Sequence, residues 1–216
     1  QREMDLAASI QTVIEEIIIK LAKGIAKISG QKNLCLAGGV ALNCVANGKL
    51  LQENVFENIW IQPAAGDAGG ALGAALGAYH IMLNQPRKVS GTLDSMKGSY
   101  LGPQYSQDDI TARLSGCGAV FTTHGNDEVI ELAAQALADG KAIGWHTGRM
   151  EFGPRALGGR SILADPRSPS MQKLLNLKVK YRESFRPFAP SVLRQDVKQW
   201  FEMDTDSPYM LFVADV

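Results

Sequence analysis

Cysteine is scarce. The three residues, Cys35, Cys44 and Cys117, are odd in number, widely spaced, and have no second Cys or His at zinc-ligand spacing. That excludes a disulfide framework and a zinc finger, and leaves three buried thiols in a reducing cytoplasm as the expectation. No apolar run is long enough to span a bilayer. Ile17-Ile18-Ile19 sits among charges in a helical pattern, and Gln1 to Leu6 opens directly into that pattern rather than into a leader peptide. A G-x-x-x-x-G-K-[ST] phosphate loop is absent, which disfavours an ordinary P-loop ATPase. There is no internal repeat and no low-complexity tract. Net charge is also missing, since 22 basic residues balance 22 acidic ones.

The balance hides a segregation. Between Arg149 and Arg194 ten basic residues face three acidic ones, Glu151, Asp165 and Glu183, so this segment carries +7 and the remainder −7. Such a concentration is the footprint of an anion site or of a nucleic-acid surface, and spacing alone does not choose between them. Its densest part is Gly148-Arg149-Met150-Glu151-Phe152-Gly153-Pro154-Arg155-Ala156-Leu157-Gly158-Gly159-Arg160-Ser161. Arginine forks match phosphate oxygens two at a time, and glycines let backbone N–H groups approach the same anion.

With 216 residues, 45% of them hydrophobic, the chain can bury the core of one large or two small domains. Apolar positions from Met4 to Ser29 recur at three and four residues and predict a long amphipathic helix stopped by Gly30. Asn33 to Ala37 reads as a strand, Ala41 to Glu53 as a helix, Ile59 to Ile61 as a strand, and the small-residue stretch after Gly66 as a helix to about Leu83. Residues 86–98 read as a linker between units spanning 1–85 and 99–216. Beyond it come helices over Gln107 to Leu114 and Asp127 to Ala138, and strands over Ala119 to Thr123, Ala142 to Trp145 and Ser161 to Ala164. A basic helix over Ser170 to Val179 follows, then an irregular Ser184 to Pro190, a short helix over Asp196 to Phe201, and a strand opening at Tyr209. Strands alternating with helices make the class α/β. Because Gln1 is not an initiator methionine and the strand opening at Tyr209 reads as unfinished, the expectation is an internal segment of a longer protein.

Three constellations could carry chemistry. Gly38-Gly39 lies between a strand and a helix, where backbone N–H groups can receive a phosphate or nucleotide, with Asn43 close behind; a purely structural turn is the competing reading. Asp67, flanked by Gly66 and Gly69-Gly70 at the mouth of a helix, reads either as an N-cap or as one metal ligand, and alone cannot build a metal site. His80 reads as packing. The third constellation is the arginine loop and its surroundings: His146, Arg149, Arg155, Arg160, Ser161, Lys178 and Arg186. Clustered cations of this kind neutralise a triphosphate or acyl phosphate and stabilise charge growing on a transferring group. His146 and His124 read as packing or hydrogen-bonding residues.

Four motifs in order, Leu36 to Asn43, Gly66-Asp67-Ala68-Gly69-Gly70 to Ala75, Glu151 to Arg167 and Phe185 to Val192, resemble the O-carbamoyltransferases of nodulation-factor and antibiotic biosynthesis (NodU/CmcH type). The resemblance covers nearly the whole chain. It implies the end of an actin/sugar-kinase/Hsp70-like acceptor domain followed by a YrdC-like domain, incomplete at its C-terminus, that makes carbamoyl adenylate from ATP and carbamoyl phosphate. The carbamoyl group then passes to a hydroxyl of a small-molecule acceptor. By position it implies that Gly38, Gly39 and Asn43 contact nucleotide and that Asp67 is one ligand of an Fe2+-type divalent metal. It further implies that Arg149, Arg155, Arg160, Ser161 and Arg186 line the adenylate-forming site. We take Arg155, Arg160 and Ser161 as the catalytic set and Arg149, Lys178 and Arg186 as cofactor-binding. Histidine ligands to the metal are expected outside this chain, which on this reading does not complete the transfer alone. Two rival readings stay open: an RNA-binding module or tRNA-modification relative using residues 149–194, with Phe152, Tyr181, Phe185 and Phe188 as stacking surfaces, and a non-catalytic nucleotide-binding fragment.

Overall fold

A computed structural model describes residues 2–89, 91 and 94–216, so residues 90, 92 and 93 of the expected linker lie outside the described residues. The fold is a mixed α/β arrangement with two small sheets among the described residues. The chain divides into two compact units, one comprising Gln1–Ser99, Phe152–Arg155 and Leu193–Val216, the other Tyr100–Glu151 and Ala156–Val192.

The first unit begins with helix α1 (Arg2–Ser29), whose ends suit its dipole, with Glu3 and Asp5 in the first turn and Lys27 in the last. Strand β1 (Asn33–Leu36) pairs in parallel with β2 (Asn58–Ile61), and Leu34 lies opposite Ile59. Between them runs helix α2 (Cys44–Gln52). Buried Ala22, Leu34, Leu50 and Phe56 form the core, with Ile18, Leu36 and Ile59 packed against it. Each large side chain removed from water there contributes on the order of 1.5–3 kcal/mol. The α1 stripe is only partly used. Gln11, Glu15, Ile18 and Ala22 face inward, whereas Ile10, Val13, Ile17, Leu21 and Ile25 are exposed. α1 is apolar on more than one face, and α2 covers the face bearing Glu15. There the Lys49 ammonium pairs with the Glu15 carboxylate and, with Gln11, holds its pKa below the usual glutamate range.

The helix expected from Ala41 to Glu53 is broken. A 3-10 turn, Gly39–Leu42, ends where Asn43 leaves helical geometry (ψ 88°), and the Asn43 side chain then accepts the Ala46 N–H to cap α2. Helix α3 (Asp67–Gly77) continues as a π-helical turn, Ala78–Met82, in which His80 Nδ1 lies 2.9 Å from the Gln85 carbonyl. The final segment is not the strand expected from Tyr209, because its carbonyls go elsewhere. Leu211 O accepts from the buried Asn47 side chain, Asp215 O accepts from Glu202 N–H, and Val213 O packs on Gly48. Tyr209 is buried, and its hydroxyl donates to the Asp94 carboxylate while accepting the Gly98 N–H at 3.1 Å. Burial first, and Asp94 second, push its pKa up to about 12.

The second unit holds helix α4 (Gln107–Gly116), opened by a capping box between Ser106 and Asp109, and helix α5 (Asn126–Ala138). Strands β3 (Ile143–His146) and β4 (Arg160–Leu163) form an antiparallel pair. Helix α6 (Met171–Leu174) runs on as a π-helical turn, Leu175–Val179. The stretch from Ala119 to Thr123 does not pair as a strand; Val120 is fully exposed and offers no apolar face to bury. The expectation of buried thiols also fails. Cys35 and Cys117 are exposed and Cys44 is half-buried, because Cys35 points to the open face of β1 and Cys117 caps the end of α4. Among the described residues no helix is long and apolar enough to cross a membrane.

Two outcomes follow from this packing. A Cβ at Gly48 would sit 2.3 Å from the Val213 carbonyl oxygen, so Gly48→Ala should lower stability in chemical denaturation by about 1–3 kcal/mol. An unobstructed helical glycine would instead gain roughly 1 kcal/mol from the same change. Because the folded-state pKa of Tyr209 is raised, the stability it contributes is complete below pH 10 and declines as pH climbs toward 12. Tyr209→Phe should flatten that alkaline decline in thermal unfolding.

Candidate functional site

The antiparallel pair sets the geometry of the arginine loop. Trp145 lies opposite Ser161 and His146 opposite Arg160, so residues 147–159 form the connection of a hairpin closed by Thr147 N–H donating to Gly159 O at 3.0 Å. The feature that organises it is Glu151. Its side chain is fully buried; Oε1 accepts the N–H groups of Leu157 and Gly159, each at 2.9 Å, and Oε2 faces Arg160 Nε at 3.2 Å. A carboxylate removed from water is stable only with such charged and hydrogen-bonding partners. Gly158, at φ +109°, makes the reversal that turns both amides inward, and its own N–H donates to Ser161 Oγ at 2.9 Å. A Cβ at Gly159 would lie 2.5 Å from the Tyr100 ring. Arg160 is thus held at the head of β4 beside Ser161, with His146 across the ladder. Arg149 is exposed in the same loop.

A second basic element of this unit is held by α6 and its π-turn. Asn176 is wholly buried; its Nδ2 donates to the carbonyls of Ser184 (3.1 Å) and Arg186 (2.8 Å), and its Oδ1 accepts from Arg182 Nε at 2.7 Å. The Arg182 guanidinium also stacks on Phe188, 4.9 Å from the ring centre. Lys178 and Arg186 are both exposed, and Arg186 Nε lies 3.7 Å from a Glu183 carboxylate oxygen. Arg167 is locked to Asp165 by hydrogen bonds of 2.7–2.9 Å, which hold the Asp165 pKa low. All three acids of the segment are therefore used in local ion pairs, while its excess of positive charge remains. His124 joins Thr122 Oγ1 to Glu128 and has a structural part, in line with its sequence reading.

The remaining candidates lie in the first unit. Gly38 N–H donates to Ala65 O, and the Asn43 carboxamide is shared between the Ala46 N–H and Gln11. Arg155 belongs with this group, its Nη2 donating to Leu42 O at 3.1 Å one residue from Asn43. Gly153, at φ +119°, lets the same short segment approach Ala64, whose Cβ would be 3.3 Å from a Cβ there. Asp67 is the exposed first residue of α3, with Gly66 rather than itself at the cap. Among the described residues no group of three or more His, Cys, Asp or Glu is placed to hold a metal ion. The side chains around Asp67 thus do not supply a full ligand set for a divalent metal.

Two family models account for most of the chain: a carbamoyltransferase N-terminus over residues 1–76 and a carbamoyltransferase C-terminus over residues 134–216. The chain belongs to the carbamoyltransferase family. It is 57% identical over 218 residues to the uncharacterized protein sll1178 of Synechocystis sp., covering all of this chain and 35% of that protein. Nodulation protein NolNO of Sinorhizobium fredii is 44% identical over 220 residues, covering all of this chain and 32% of its own length. Nodulation protein U of Rhizobium fredii is 38% identical over 185 residues, or 86% of this chain and 29% of its own. The chain spans about a third of the length of these curated relatives. Gly38, Gly39, Asn43 and Asp67 fall in the N-terminal match, and the arginines, Ser161 and Lys178 in the C-terminal one.

Sequence reasoning missed Glu151 and Asn176. A lone acid among three arginines is a usable signal for the first, whereas an asparagine in a basic helix carries none for the second. Glu151→Gln would turn an NH2 group or a lost acceptor toward Arg160 or the two amides. It should cost about 3 kcal/mol and speed hydrogen exchange of the Leu157 and Gly159 amides at least about tenfold; unchanged exchange would show that another group holds the loop.

Proposed function

We propose that this carbamoyltransferase is an O-carbamoyltransferase that forms carbamoyl adenylate from ATP and carbamoyl phosphate and passes the carbamoyl group to a hydroxyl of a small molecule. The observation that carries the reading is the hairpin loop fixed by Glu151, which holds Arg160 and Ser161 rigidly within a segment of net charge +7. A preorganised cationic loop stabilises charge on a transferring phosphoryl or acyl-phosphate group without reorganising during reaction. In this reading Arg160 and Ser161 face the reacting phosphate, Arg149, Lys178 and Arg186 neutralise the rest of the nucleotide, and the residues around Glu151 form the YrdC-like part. Arg155, hydrogen-bonded beside Asn43, serves with Gly38 and Gly39 in the nucleotide contacts of the acceptor part. Adenylate formation consumes one water and releases phosphate from carbamoyl phosphate and pyrophosphate from ATP. Transfer then joins the acceptor oxygen to the carbamoyl carbon as the bond from that carbon to the AMP phosphate oxygen breaks, releasing AMP and the acceptor's proton. Asp67 contributes one ligand to a divalent metal of the Fe2+ type, whose other ligands come from elsewhere in the protein. Both co-substrates are metabolites of the cytoplasm, where we place the reaction.

A second reading, RNA binding, draws on the exposure of Tyr181 (86%) and Phe185 (74%) among basic residues. The two separate in one set of measurements. Pyrophosphate exchange into ATP should require carbamoyl phosphate, and ATP affinity should survive moderate salt; a steep salt-dependent affinity for RNA with no exchange would favour the rival. Arg160→Ala is a poor probe because it strands the buried Glu151 carboxylate. Arg149→Ala, at an exposed position, should weaken ATP binding about tenfold with an unchanged melting temperature.

A further inference from the structure

We infer that Asn176, helped by Gln172 one helical turn before it, is a positioning residue for Arg186 in the phosphate-binding site of the reading above, on which this inference rests. The two amides grip three consecutive carbonyls. Asn176 Nδ2 donates to those of Ser184 and Arg186, and Gln172 Nε2 to those of Phe185 (3.1 Å) and Arg186 (3.0 Å). The orientation of the Asn176 amide is fixed, because its oxygen faces Arg182 Nε, a group that can only donate. With its carbonyl bonded twice, the backbone at Arg186 cannot rotate its peptide plane without breaking the part-buried hydrogen bond from Asn176 and the exposed one from Gln172. The guanidinium, by contrast, is held loosely. Its neighbour Glu183 is 3.7 Å away, and both side chains are 57% exposed, so an incoming phosphate oxygen can replace that carboxylate at little cost. A rigid root and an exchangeable tip are what an arginine needs to take up a multiply charged phosphate anion. Packing alone does not require a wholly buried carboxamide at Asn176; irregular surface backbone that has to be kept in one conformation does.

The test is a double-mutant cycle read by calorimetric titration of ATP into the full chain. Asn176→Asp has the same shape and keeps an acceptor for Arg182 but donates to neither carbonyl. Arg186→Ala and Asn176→Asp should each weaken ATP affinity about tenfold, and the double variant should be within about twofold of Arg186→Ala, because Asn176 acts through the side chain already removed. Independent losses that multiply in the double variant would overturn the positioning role while leaving the nucleotide site standing. If Arg186→Ala leaves ATP affinity unchanged, the nucleotide reading itself fails at this position and the inference falls with it. Should Asn176→Asp not fold, Gln172→Ala, at an exposed position, enters the same cycle with the same criterion and a smaller loss.

Discussion

A single carboxylate removed from water governs the arginine loop. Glu151 cannot remain charged and buried unless donors surround it, and two backbone amides and a guanidinium meet that demand. The path of residues 156 to 160 follows from it: the chain must bend at Gly158 so that Leu157 and Gly159 point their N–H groups at one oxygen, and β4 must then begin at Arg160. Side chains expected to do chemistry are thus placed by one that does none. The same principle recurs around Asn176, where a neutral buried amide gathers carbonyls instead of N–H groups. Charge is used where donors must converge, and an amide where acceptors must.

The parts legible in the sequence were those set by short-range chemistry. Helix α1 from its period, β1 and β2 from short apolar runs, α3 from its small residues and the β3–β4 flanks of the arginine loop all stand where the pattern puts them. Four ordered motifs gave the family, and two family models bear it out. What failed depends on distant partners. The strand from Tyr209 is pre-empted by Asn47 and Gly48, residues more than 160 positions away from their partners, and no local propensity reports that. The break at Asn43 was missed because capping competes with helix continuation on equal local terms.

At the site, the sequence located the charge and not its state. Counting residues between Arg149 and Arg194 could not reveal that Arg160, Arg167 and Arg186 each stand beside a carboxylate, nor that Arg182 is held by a neutral amide and an aromatic face. These differences sort the cations by task. Arg160 is half-buried and positioned by Glu151, Arg167 is tied to Asp165, Arg182 is clamped, and Arg149 is exposed. Identical side chains in one short stretch therefore differ in how freely each can answer an incoming anion.

The buried contact between Asn47 and Leu211 spans 164 positions, and the part-buried one between Asp94 and Tyr209 spans 115. During synthesis the early helices emerge long before the residues that complete their interior. Until Leu211 clears the ribosome, the Asn47 amide and the groove beside Gly48 stay open to water or to a chaperone, so the first unit should reach its native state only after translation has passed Leu211.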